Sequence, residues 1–114
     1  MRHFPRLPSL AALVLAAFAA AGAAQAAEPE QLLVIKNHRF EPAEFKVPAG
    51  QRVRLVVHNQ DPTPEEFESH GLNREKLIPG GAKATLFIGP LAAGRYPFVG
   101  EFHETTAKGA VLAE

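Results

Sequence analysis

The chain contains no cysteine and no tryptophan, and its single methionine is Met1. The first absence excludes disulfides, thiolate metal sites and cysteine nucleophiles. The lack of internal methionine removes the thioether that soft ions such as Cu(I) favour. There is no basic excess either: 12 Lys and Arg stand against 12 Asp and Glu. That balance excludes the electrostatic footprint of a nucleic-acid binder. Sustained helical periodicity is missing after about residue 27.

What is present begins with MRHFPRLPS, basic at Arg2 and Arg6, then an apolar run from Leu10 to about Ala21, then AAQAA. This is the layout of a secretory signal peptide with cleavage after Ala26. The run is too short for a comfortable membrane span. The expected organisation is a leader at 1–26 and one small domain at 27–114, located in the periplasm. Losing Arg2 and Arg6 tips the mature domain slightly acidic. With no disulfide, a domain this small relies on its core or on a bound metal.

Within 27–114, apolar residues alternate with polar ones in short segments. QLLVIKN, RVRLVVHN, EFESH, KATLFIGP and KGAVLAE read as strands. DPTP, PGG and the Gly94 region read as turns. Seven or eight strands at roughly ten-residue spacing predict an all-β, antiparallel Greek-key sandwich or barrel. Phe45, Phe67, Phe87, Phe98, Phe102 and Tyr96 are expected mostly in its core.

The chemistry concentrates in two stretches, Glu66 to His70 and Glu101 to Glu104. Side chains at i, i+2 and i+4 of a strand share a face. Glu66, Glu68 and His70 therefore line one side, and Glu101 and His103 share a side if GEFH is extended. If the two loci are neighbours, they form an oxygen and nitrogen metal site suited to iron, Cu(II), Mn(II) or Zn(II). If they are not, the same alternation is a solvated strand face. His58 reads as a surface residue. Ser69 and His70 fall on opposite strand faces, a poor geometry for a nucleophile and its base.

Two longer runs carry a resemblance. FEPAEFKVPAGQRVRLVVHNQD (40–61) resembles the front half of cupredoxin-like domains, and GRYPFVGEFH (94–103) resembles their ligand strand and loop. The resemblance implies a Greek-key sandwich of about eight strands. Blue copper proteins use two His, one Cys and an axial Met. Here Gly100 stands at the position equivalent to Cys, and Glu65 or Glu66 stands at the first His, so a type 1 blue copper site is excluded. NHRFEPAE, EEFESH, REKLIPGG and YPFVGEFHETTAKG are similar to the cupredoxin-like (FtrB-type) component of bacterial ferrous-iron transport systems. Glu66-Phe67-Glu68 also matches the motif of the more distant EfeO-type domains.

This resemblance implies binding of iron and/or copper in iron uptake, and ferroxidase-type assistance before transport. Without Cys or Met, that assistance needs a bound Cu(II), the iron itself or a partner to accept the electrons. It implies a periplasmic iron-binding protein and an inner-membrane iron permease complex as partners. The ligands carried over are Glu66, Glu68, His70, Glu101 and His103, with Glu65, His38 and Glu41 as a second set. Glu65 shares parity with the expected core residue Phe67, which favours it at the old copper position. The two ligand-bearing strands are neighbours in that fold, however, so their outer faces bring Glu66, Glu68 and His70 beside Glu101 and His103, and this outer-face site is preferred. Two alternatives stand beside this reading: a periplasmic Cu(II) carrier or buffer, and a metal-free docking module for a permease or periplasmic partner.

Overall fold

The computed structural model describes residues 2–5 and 28–114. The expected leader, beyond residues 2–5, and its cleavage point lie outside the described residues. Residues 28–114 form nine strands: β1 Glu30–Lys36, β2 Arg39–Glu41, β3 Glu44–Val47, β4 Val53–Asn59, β5 Glu65–Ser69, β6 Arg74–Ile78, β7 Lys83–Ile88, β8 Gly94–Gly100 and β9 Lys108–Ala113. A 3-10 turn at Glu101–His103 separates the last two. One sheet runs β2-β1-β4-β7 and the other β3-β9-β8-β5-β6. The expected all-β sandwich is therefore present.

Its pairing differs from the expectation in one respect: both sheets are mixed. β1 lies parallel to β4, and β3 lies parallel to β9. A parallel pair needs a long crossover rather than a tight hairpin. The segment holding β2 and β3 supplies it between β1 and β4.

Period two decides what is buried. Val53, Leu55 and Val57 of β4 point inward, as do Phe67 of β5 and Phe98 of β8. Phe40, Phe45, Phe67 and Phe98 meet between the sheets, with Phe40 edge-on to Phe98 at 4.9 Å and Phe67 tilted against it at 5.1 Å. Each fully buried Phe contributes about 2–3 kcal/mol by area removed from water. Their mutual geometry adds about 0.5–1.5 kcal/mol per pair.

Two of the phenylalanines expected in the core are exposed instead. Phe87 has outward parity on β7 between buried Leu86 and Ile88, and its ring lies 4.0 Å under the Arg52 guanidinium. Phe102 follows Gly100, where β8 ends, so strand parity no longer governs it. The same break overturns the extended reading of GEFH. Glu101 and His103 sit on a 3-10 turn and face different neighbours. Phe67 pairs with Gly100 across β5 and β8, which brings the two Glu/His stretches side by side.

Candidate metal centre

β5 has inward-facing Glu65, Phe67 and Ser69 and outward-facing Glu66 and Glu68. Each sheet face therefore receives its own acidic group.

The inner group starts at the β1–β2 hairpin. Its two-residue loop, Asn37-His38, has positive φ at both positions, 52° and 57°. Such loops suit the strand twist but demand a left-handed backbone that favours Asn and Gly. Asp61 steadies it. Its Oδ1 accepts the Asn37 N–H at 2.8 Å, and its Oδ2 accepts the His38 N–H at 2.9 Å. The same Oδ2 lies 3.5 Å from His38 Nδ1. Asp61 is itself placed by buried Asn59, whose Oδ1 accepts the Asp61 N–H while its Nδ2 donates to the Thr63 and Ile78 carbonyls. Burial pushes the Asp61 carboxyl upward. The backbone N–H groups of His38 and Asn37, and the imidazoles of His38 and His103, outweigh it and hold the group below its usual range.

Glu65 is 1% exposed. One oxygen accepts the N–H of Phe102 at 2.9 Å and of Glu66 at 3.0 Å, and the other meets His103 Nδ1 at 2.5 Å. The antiparallel register that pairs Phe67 with Gly100 would have set Glu65 opposite Phe102. The turn carries Phe102 out of the ladder, and the Glu65 carboxylate takes the amide in place of a backbone carbonyl. His103 is fixed from behind, because its own carbonyl accepts the Ala107 N–H at 2.8 Å. Its ring stacks on His38 with centroids 3.6 Å apart. Ligating atoms of His38, Glu65 and His103 all lie within 4.8 Å of one another. A carboxylate oxygen and imidazole nitrogens are thus already gathered for a cation. The donors are oxygen and nitrogen without sulfur, which fits a hard or borderline ion.

The outer group contains Glu66, Glu75 and Glu101, whose carboxylate oxygens also lie within 4.8 Å of one another. Glu68 pairs directly with Glu75 across the β5–β6 hairpin. Its carboxyl is raised by desolvation and by Glu101. Glu66 is raised to about 7, first by its hydrogen bond with Glu75, then by desolvation and the charge of Glu101. His70 stands 3.5 Å from Glu68 with its side chain 98% exposed.

The five first-choice ligands are thus divided. Glu66, Glu68, Glu101 and the fringe residue His70 share the outer face. His103 turns to the inner group and joins Glu65 and His38 of the second set. Glu41 is exposed on β2 and belongs to neither group. His58 is half-buried on the outer face of β4, between Val34 and Lys83. The Ser69 hydroxyl donates to the Pro97 carbonyl, away from His70. Sequence reasoning missed Asp61 and Glu75. Asp61 follows Asn59 at the spacing of an Asx turn, and Glu75 mirrors Glu68 about the hairpin loop. Both signals were local and readable.

Residues 9–113 match the cupredoxin-like domain family; the chain belongs to that family. It is 41% identical over 83 residues to the uncharacterized protein RP394 of Rickettsia prowazekii (strain Madrid E), which covers 73% of this chain and 66% of that relative. The chain thus spans slightly under two thirds of that relative's length. Among solved structures it is similar to auracyanin A, a blue copper protein from Chloroflexus aurantiacus, with a TM-score of 0.67 and 15% identity over 77% of this chain and 100% of the other. It is also similar to the metal-binding domain of the Streptococcus pneumoniae Cu(I)-exporting ATPase CopA. The TM-score is again 0.67 and the identity 15%, over 75% and 84% of the two chains. At these identities the likeness concerns the fold. The fold family is related to copper-binding proteins, and this member lacks their cysteine.

Proposed function

We propose that this chain is an exported, periplasmic metal-binding protein of an iron-uptake system, and that His38, Glu65 and His103 hold its ion, Cu(II) or iron. One observation carries the reading: a buried carboxylate bonded to an imidazole that stacks on a second imidazole. Burying such a group is costly unless hydrogen bonds or a cation compensate it. Asp61 behind His38 has the role of the outer carboxylates that orient ligating histidines and strengthen them as donors. That auracyanin A is a blue copper protein and the CopA domain a metal-binding one supports a bound ion in this protein as well. The absence of sulfur favours Cu(II) or iron over Cu(I). The iron-uptake role, with a periplasmic iron-binding protein and a membrane permease as partners, rests on the similarity of EEFESH and YPFVGEFHETTAKG to ferrous-iron transport components. A Cu(II) carrier would use the same residues.

The outer face offers a second location, favoured by the convergence of Glu66, Glu75 and Glu101. Titration calorimetry with Cu(II), and with Fe(II) under anaerobic conditions, separates the two. Glu65→Gln and His103→Ala are expected to weaken the tight site by at least about tenfold, the range seen when metal-site partners are removed. Glu66→Gln is expected to leave it intact. The opposite pattern moves the ion to the outer face. A wild-type protein that binds neither ion leaves the metal-free docking reading.

A further inference from the structure

We infer that Gly100 selects the donor set of this centre: the space left by its missing side chain is the seat of the Glu65 carboxylate, and any side chain there evicts that carboxylate from His103. The inference rests on the metal-centre reading and adds the residue that decides its chemistry.

The backbone at Gly100 does not call for glycine. Its φ of −90° and ψ of 108° are extended, a region open to every residue. Space is the constraint. A Cβ built there would lie 2.7 Å from Glu65 Cδ, 2.9 Å from Glu65 Oε1 and 2.7 Å from Ala107 Cβ. The backbone cannot retreat, because Gly100 pairs with Phe67 on one side and its N–H donates to the Ala107 carbonyl on the other. The carboxylate is the end of a flexible side chain, but it is buried and held by Phe102, Glu66 and His103. A methyl at position 100 therefore has to break those bonds. One location holds either an oxygen donor from residue 65 or a side chain from residue 100, never both. With glycine at 100 the site is hard, built of a carboxylate and imidazoles. With a thiol at 100 and no carboxylate at 65 it becomes a soft site of sulfur and imidazoles.

The test compares wild-type protein with Gly100→Ala/Ala107→Gly, in which the second change removes the clash with Ala107 and leaves Glu65 as the obstacle. Ala107→Gly alone is the control. In metal-free protein, hydrogen exchange at the Phe102 amide is expected to speed up by about tenfold or more as its acceptor leaves. Cu(II) affinity is expected to fall by at least about tenfold. A Gly100→Cys/Glu65→Ala variant loaded with Cu(II) is expected to show intense visible sulfur-to-copper charge-transfer absorption. If Gly100→Ala/Ala107→Gly does not fold, adding Glu65→Ala is expected to restore folding; failure to do so overturns the inference. Wild-type protection of Phe102 together with wild-type Cu(II) affinity in Gly100→Ala/Ala107→Gly also overturns it. If wild-type protein holds no ion but Phe102 is still released, the metal-centre reading falls and the exclusion between positions 65 and 100 stands.

Discussion

Glu65 and Glu66 are adjacent, chemically identical and on one strand, yet they live in different environments. Glu65 points between the sheets, is 1% exposed, and has an amide or imidazole donor for each oxygen. Glu66 points outward among Glu75 and Glu101, and its carboxyl is raised to about 7. Amide and imidazole groups surround the first, whereas a hydrogen bond with Glu75, desolvation and the charge of Glu101 raise the second. The comparison shows that residue type and spacing do not assign a ligand. Strand parity and the partner across the ladder do.

The largest effect is expected at the floor of the inner group. Asp61→Ala leaves the Asn37 and His38 amides without their charged acceptor, a loss of about 3 kcal/mol. Thermal denaturation measures it, and a neutral result would separate the left-handed turn from Asp61. The pH dependence has a defined sign. A carboxyl held below its usual range gives stability that is present above its unfolded value of 3.8 and is lost as pH falls through the folded value. Asp61→Asn should flatten that acid limb.

Next in size is the contrast between the two neighbours. Glu65→Ala strands the Phe102 amide and should cost about 2 kcal/mol. Glu66→Ala relieves like-charge repulsion and should stay within about 0.5 kcal/mol of wild type. Equal losses in urea unfolding would mean that the two faces of β5 are not distinct.

The smallest effect concerns protonation on the outer face. A carboxyl raised in the folded state contributes stability below its unfolded value of 4.5, and that contribution is lost as pH rises through about 7. NMR titration of the Glu66 carboxyl should give a midpoint near that value, and Glu75→Gln should move it down toward the ordinary range. An unmoved midpoint would assign the shift to Glu101 and desolvation instead.

Much of this was legible in the chain. Alternation in RVRLVVHN and EFESH placed the strands, and the parity of Glu65 with Phe67 placed that carboxylate on the core side. The sandwich and its oxygen and nitrogen donor set followed from the same patterns. The side of His103 was not legible, because it depends on where β8 stops. Gly100 ends the strand, the 3-10 turn rotates His103 inward, and the assumption of an extended GEFH gave the opposite face. The exposure of Phe102 was hidden for the same reason. His38 entered only as a second-set ligand, and its stacking on His103 joins positions far apart in the chain.

By itself the sequence determined the period of each strand, the absence of sulfur ligands and the acidic character of both faces of β5, because these depend on residue identity and on neighbours a few positions away. Tertiary structure alone decided which carboxylate meets which imidazole. The hairpin at Asn37-His38, the loop at Asp61 and the turn after Gly100 come together only when the two sheets pack, and contacts between such distant segments are fixed by the shared core rather than by local pattern.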